Sequence, residues 1–255
     1  MRRTAHQIFE KVEQSATDEL ERSSRALAFS GVAGGMGMGL TGLAVATVQG
    51  VVGTGGWQDF VALLFFPLGF VTVVIGRAQL FTENTLFPVA LVLSERGHRA
   101  SNLRQTGRLW TVVFIANIAG AILFAGVTMK TGALPYDIGA HLAVLGMKSV
   151  VGTSSHIFWS AVIGGWIIAL MAWTVTASHW TIGQVVVTWM LTVVVGMGHF
   201  AHCIATSGEI LSAVFTGQVA IASYGHWLLF ATLGNIVGGV TLVTLLNFGQ
   251  VKAEE

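Results

Sequence analysis

Six apolar blocks, at about residues 26–48, 58–92, 108–129, 156–178, 182–219 and 226–247, dominate the chain. Each reaches the length an α-helix needs to cross the hydrocarbon core of a bilayer, about 20 residues. Lipid offers no partner to backbone N–H and C=O groups, so such blocks must become helices or a closed barrel. Their continuous apolar character over this length reads as helix. The second and fifth blocks are longer than the others, and each is broken by polar residues. The breaks are Gly76-Arg77-Ala78-Gln79-Leu80-Phe81-Thr82-Glu83-Asn84-Thr85 and Gly198-His199-Phe200-Ala201-His202-Cys203-Ile204-Ala205-Thr206-Ser207-Gly208-Glu209. A polar, glycine-containing interruption is tolerated at membrane depth only inside protein or beside a water-filled cavity. Ionisable residues at such a place point to function.

Composition narrows the class further. The 255 residues are 53% hydrophobic and 10% charged, against about 25% charged for soluble domains. The expectation is an integral membrane protein whose first partner is the lipid bilayer. A net charge of +1 leaves no basic patch for a nucleic acid. The single cysteine, Cys203, excludes an internal disulfide and CxxC chemistry. No GxSxG, HExxH or nucleotide loop is present, which argues against an intramembrane enzyme and calls for no cofactor. His199 and His202 stand three apart, as metal ligands often do, but no third ligand at convincing spacing joins them. No metal is expected.

The start of the chain is dense in charge and lacks the apolar core of a cleavable signal. Residues 1–25 are read as a cytoplasmic, amphipathic N-terminal helix with Phe9, Val12, Ala16 and Leu20 on one side. It lies on the membrane or a neighbouring subunit, or it is a soluble helix with no partner; both readings fit. Residues 26–249 form the six-crossing domain, and residues 250–255 a cytoplasmic tail. Lys and Arg concentrate before the first block (Arg2, Arg3, Lys11, Arg22, Arg25) and after the second (Arg96, Arg99, Arg104, Arg108). The positive-inside rule then places both termini in the cytoplasm. Trp57, Trp110, Trp180 and Trp227 fall near block ends, where interfacial indoles are favoured. Small residues four apart (Gly31, Gly35 and Gly39; Ala116 and Gly120; Ala161 and Gly165; Gly234 and Gly238) predict close helix packing.

The blocks also repeat. Ser30-Gly-Val-Ala-Gly-Gly35 matches Ser160-Ala-Val-Ile-Gly-Gly165, and Ala116-Asn-Ile-Ala-Gly-Ala121 matches Gly234-Asn-Ile-Val-Gly-Gly239. The order is crossing, broken crossing, crossing, twice over, at about residues 26–130 and 156–247. A unit of three crossings must enter the second time from the opposite side, which makes the repeat inverted. Corresponding interrupted segments in two such halves are the best sequence pointer to a transport site near the midplane.

Leu80-Phe81-Thr82 followed by Asn84-Thr85, together with Phe200-Ala201-His202-Cys203-Ile204-Ala205, resembles the formate/nitrite transporter family across roughly residues 25–247. The resemblance implies an all-α membrane protein of six transmembrane helices, an aquaporin-like inverted repeat with broken second and fifth helices. It also implies a homopentamer in a bacterial inner (plasma) membrane with one pore per subunit. The pore passes formate, nitrite or a related small monovalent species. By motif position it puts His202 and Thr82 at the pore centre, with Leu80, Phe81, Phe66 and Phe70 at apolar constrictions. The chain departs from the family pattern at Ala201, where a glutamate is usual, and at Thr206, where an asparagine is.

A bare anion loses its hydration in an apolar slit, and protonation removes that penalty. A central imidazole, which changes charge near neutral pH, could give a proton or share a hydrogen bond, with Thr82 fixing its tautomer. The alternative for His202 is a core histidine bonded to backbone. His199 is expected to face a vestibule. Glu83 and Glu209 fit two roles: capping the half-helices that follow them, or standing in a vestibule to repel anions or attract cations. Arg77 could neutralise either carboxylate or receive an anion, and Thr206 could bond loop backbone. The paired histidines and extra carboxylates also keep open a conduit for a neutral or cationic solute such as ammonia.

Overall fold

A computed structural model describes residues 3–94 and 98–253. Arg2, Arg96 and the last two residues of the expected tail lie outside them. The described residues are helical throughout, with turns and two breaks. The first crossing is α1's successor, a pair of helices in line: α1 spans Ala5–Glu21, α2 Ser24–Met38 and α3 Leu40–Val52. The second crossing comprises α4 (Trp57–Leu63) and α5 (Leu68–Ile75), then the break, a 3₁₀ turn at Glu83–Thr85 and the half-helix α6 (Phe87–Ser94). The third is the long α7 (Arg99–Lys130). After α8 (Tyr136–Ser149) the pattern recurs: α9 (Ser154–Ala177), then α10 (Thr181–Met197), a break and the half-helix α11 (Ala205–Phe215). The last crossing is α12 (Ile221–Gly239), continued through a π-helical segment, Val240–Leu245, into α13 (Leu246–Ala253). Five spans are long and apolar enough to cross a membrane, and Thr181–Met197 is a shorter sixth.

Glycines set how closely the halves of each repeat can pack. A Cβ on Gly35 would overlap the backbone carbonyl of Asn117, and one on Gly165 the backbone of Asn235. Gly31 faces Ala116, with 2.6 Å between that methyl and a would-be Cβ, and Gly234 faces Ala161 at the same 2.6 Å. The small-residue stripes therefore join α2 to α7 and α9 to α12 inside one subunit. Only a residue without a side chain admits backbone this close.

Each repeat also carries an amphipathic helix that the block pattern does not show as part of the core. Phe9, Val12, Ala16 and Leu20 are all buried, because α1 packs on the half-helix α6 and on α13. A capping box between Thr4 and Gln7 starts α1. Residues 130–155 fall between the third and fourth apolar blocks, yet α8 occupies most of them and packs on the other half-helix, α11. Its buried face is Gly139, Leu142, Ala143 and Gly146, and Asp137 and Lys148 sit at the ends that the helix dipole favours. Helices 14 and 17 residues long, α8 and α1, are too short for a hydropathy block but fit as docks for half-helices.

Three details differ from the sequence reading. Arg99, Arg104 and Arg108 belong to the first turns of α7, not to a loop. With 32 residues, α7 runs about 48 Å, well beyond the bilayer core, and Arg108 reaches the Leu20 carbonyl at the end of α1. Residues 250–253 continue α13. Trp57 and Trp180 are exposed, but Trp227 is buried and Trp110 donates its indole N–H to the Asn84 carbonyl at 2.9 Å. Those two indoles fill the protein rather than the membrane interface.

Candidate functional site

The two breaks share one backbone plan. Gly76 ends α5 and Gly198 ends α10. The next residue in each, Arg77 (φ 56°) and His199 (φ 50°), takes the left-handed conformation that turns the chain out of its helix. Two residues later the N–H of Gln79 donates to Ser30 Oγ, and that of Ala201 to Ser160 Oγ, both at 3.1 Å. Asn117 then accepts the Phe81 N–H at 2.9 Å and donates to the Gly31 and Gln79 carbonyls. Asn235 does the same for Cys203 at 2.8 Å and for the Ala161 and Ala201 carbonyls. Each irregular loop thus has its freed backbone groups satisfied by one serine and one asparagine of the flanking crossings, as burial demands. In this correspondence Leu80 stands opposite His202, Phe81 opposite Cys203 and Thr82 opposite Ile204.

The breaks meet at Thr82 and His202. Thr82 Oγ1 and His202 Nε2 lie 2.8 Å apart, and both residues are almost wholly buried. The other ring nitrogen, Nδ1, accepts the backbone N–H of Ala205 at 2.9 Å. An amide N–H can only donate, so Nδ1 carries no hydrogen and the neutral ring holds its proton on Nε2. The imidazole therefore donates to Thr82 Oγ1, and the threonine O–H is left to donate elsewhere. The tautomer is set by Ala205, not by Thr82. The Phe70 ring meets the imidazole edge-on, with centroids 5.1 Å apart.

A cavity opens on either side of this contact. One, of about 370 Å³, is bounded by Phe66, Val195, His199, Phe200, Thr206 and Glu209, with Lys148, His156 and Asp59 toward its mouth. The other, of about 410 Å³, is on the side of the chain termini and reaches Leu80, Gln79, Arg77 and Glu83. Each has room for several waters at about 30 Å³ apiece, enough space for a small solute to keep part of its hydration on either side of the contact. Thr82 and His202 line neither cavity.

The other sequence-predicted residues divide. Phe66 and Leu80 each border one cavity on its way to the centre. Phe81 does not: its ring packs against Trp110 and Phe114, centroids 5.8 and 5.1 Å away, because the Asn117 bond fixes its backbone with the side chain outward. Glu209 is not a cap either. It sits in the second turn of α11, whose N-cap is Ile204, and lines the cavity. Glu83 opens the 3₁₀ turn, but its Oε1 is buried without a hydrogen-bond partner, so it caps nothing through that atom. Arg77 and His199 are exposed at the two vestibules, and Thr206 uses its backbone N–H on the His202 carbonyl. His199 and His202 both lie in the break between α10 and α11 and so share no helix face. Sequence reasoning missed Phe200, whose position beside the central loop was a usable signal, and Lys148, which needed α8 to be recognised.

Comparison with known proteins points one way. The family model described as formate/nitrite transporter matches residues 6–249. The inner membrane protein YfdC of Escherichia coli (strain K12) is 31% identical over 250 residues, covering 96% of this chain and 78% of that protein. A probable formate transporter of Methanothermobacter thermautotrophicus is 30% identical over 228 residues, 80% of this chain and 81% of the relative. Among solved structures, one described as an FNT family ion channel superposes with a TM-score of 0.82 at 20% identity, covering 95% of this chain and 98% of that one. A pentameric formate channel with formate bound superposes with a TM-score of 0.73 at 21% identity, over 89% and 97%.

Proposed function

Since the chain belongs to the formate/nitrite transporter family, we propose that it carries a small monovalent anion of the formate or nitrite type across the membrane, and that the anion crosses the centre as its neutral weak acid. The single observation that carries this reading is the buried contact of Thr82 and His202, which lines neither of the two cavities beside it. Magnitudes decide the form of the permeant. A bare carboxylate in an apolar interior loses tens of kcal/mol of hydration by Born estimates. A hydrogen bond to a charged group returns only about 1.5–3 kcal/mol. One threonine hydroxyl cannot offset that difference, whereas a neutral acid needs little more than one donor for its carbonyl or N=O oxygen.

In this reading His202 does not change charge. It orients Thr82: the Nε2–H is given to Oγ1, and the hydroxyl hydrogen is turned to the permeant. Phe66 and Phe70 on one side and Leu80 on the other strip water from the solute before it arrives. Lys148 at one mouth and Arg77 at the other supply positive charge that gathers anions from solution. The positive-inside bias places the termini, and the Arg77 cavity, on the cytoplasmic side. A bacterial inner membrane fits the name of the Escherichia coli relative. A homopentamer fits the pentameric formate channel that shares the fold, and large apolar residues such as Phe29, Ile115 and Trp159 are exposed on the single chain for lipid or neighbours.

A flux panel in proteoliposomes tests the reading. Formate and nitrite uptake should rise as external pH falls, while chloride and nitrate, anions of strong acids, should not be carried. Ammonia flux with no response to any weak-acid anion would establish the neutral-solute conduit instead.

A further inference from the structure

Glu209 and Glu83 are one carboxyl in each cavity, and neither is explained by the fold. Glu209 is 7% exposed, and neither of its oxygens has a hydrogen-bond or ion-pair partner among the described residues. Its place is built for it. A Cβ on Gly42 of α3 would lie 2.5 Å from Glu209 Cγ and 2.9 Å from Oε1, and Gly146 of α8 lets the α11 backbone approach at the same residue. Glu83 borders the opposite cavity with Oε1 buried and unpaired. The two are not copies made by the repeat: Phe87 stands where Glu209 would recur, and Ala205 where Glu83 would. A purely structural carboxyl would be bonded, because an unpaired buried one is costly.

The weak-acid reading above needs a proton source, and His202 is a poor one. Its Nε2–H is already given to Thr82, its Nδ1 is occupied by the Ala205 N–H, and losing a proton would leave an imidazolate. We infer that Glu209 and Glu83 are the proton-exchange groups of the pore, one protonating the permeant on entry and the other taking the proton back on exit. On entry the O–H bond of the Glu209 carboxyl breaks and a new O–H bond forms on the anion, giving a carboxylate and a neutral acid. The carboxylate regains a proton from hydronium in the vestibule. At the far side the acid's O–H bond breaks, Glu83 carboxylate takes the proton and the anion leaves. The Glu83 carboxyl then gives that proton to water in its own cavity, which restores the carboxylate. Charge and atoms balance, and one proton crosses with each anion. The substrate class is thereby restricted to anions whose conjugate acids are about as weak as a carboxylic acid.

Other charged and titratable groups face these carboxyls. Around Glu209 they are Asp59 of α4, Lys148 of α8, His156 of α9 and His199 of the break. Around Glu83 they are Arg77, with Arg3, Lys11, Asp18 and Glu19 on or beside α1. Their titration adds to any pH profile, so the test compares variants at the carboxyl itself.

The inference rests on the weak-acid reading, and the experiment separates the two. Formate uptake and internal acidification are followed together in proteoliposomes of the full-length protein between pH 5 and 8. In Glu209→Gln, which keeps hydrogen bonding but has no acidic proton, inward formate flux should fall roughly 10²-fold and its rise at low pH should flatten. Glu209→Asp should restore the pH profile in part, and Glu83→Gln should slow efflux into the terminal-side compartment in the same way. An unchanged rate, a faster rate, or a slower rate with the wild-type pH profile in Glu209→Gln would overturn the inference while leaving weak-acid transport standing. No weak-acid flux in the wild type would remove both. Should Glu209→Gln fail to assemble, a wild-type rate and pH profile in Glu83→Gln would overturn it equally.

Discussion

The loop after Ile75 and the loop after Met197 have the same backbone and different chemistry. Both leave their helix through a glycine and a left-handed residue, and both hang from a serine and an asparagine of neighbouring crossings. At the centre the sequence of one reads Leu80, Phe81, Thr82 and that of the other His202, Cys203, Ile204. The duplicated part is the part that solves the backbone problem of a broken helix in lipid. The part that differs is the part that meets the solute in the proposed function. Of the two halves, one contributes the imidazole and the amide that orients it, and the other the hydroxyl that uses it.

That division can be broken experimentally, first where the halves should behave alike. Asn117→Ala and Asn235→Ala each remove three buried hydrogen bonds. With about 1–3 kcal/mol for each buried group left unpaired, each variant should lose about 3 kcal/mol or more. Unfolding in detergent measures it, and a neutral result in one half would mean the scaffold is not shared. The next effect should divide the halves. His202→Asn and Thr82→Val are expected to cut formate flux about 10- to 100-fold, the worth of a hydrogen bond to a polar or charged partner. His199→Asn should change it little, because His199 only borders a vestibule. Equal effects at His199 and His202 would remove the central role.

Smaller effects test the packing and the turns. Gly35→Ala and Gly165→Ala press a methyl into the Asn117 and Asn235 backbone and should each be destabilising by about 1–3 kcal/mol. A clear difference between them would show one helix pair free to separate. Arg77→Gly and His199→Gly relieve a left-handed conformation that costs an L-residue about 1–2 kcal/mol, but they add freedom to the unfolded chain. Both should alter stability by less than about 1 kcal/mol, in the same direction.

Much of this architecture was legible in the residues because the membrane leaves few choices. Block length and the two polar breaks led to six crossings, and the Ser30/Ser160 and Asn117/Asn235 matches led to the inverted repeat. What stayed hidden was short or directional. The helix α8 has 14 residues and a half-polar surface, so it resembled a loop until the half-helix it supports was visible. Phe81 belongs to the motif but points away from the cavities, and motif position says nothing of which way a loop side chain turns. Glu209 looked like a cap because apolar residues follow it, yet the helix begins four residues earlier at Ala205, whose N–H is spent on His202. Lys148 comes to a vestibule only through α8, so nothing in the block pattern pointed to it.

The central claim of the proposed function is that the permeant passes the Thr82–His202 pair without net charge. Proteoliposomes loaded with a pH dye, given a formate gradient and clamped at different potentials with potassium and valinomycin, test it directly. One proton should enter with each formate, and the rate should be the same at every potential. Formate flux that follows the potential and moves no protons would contradict it.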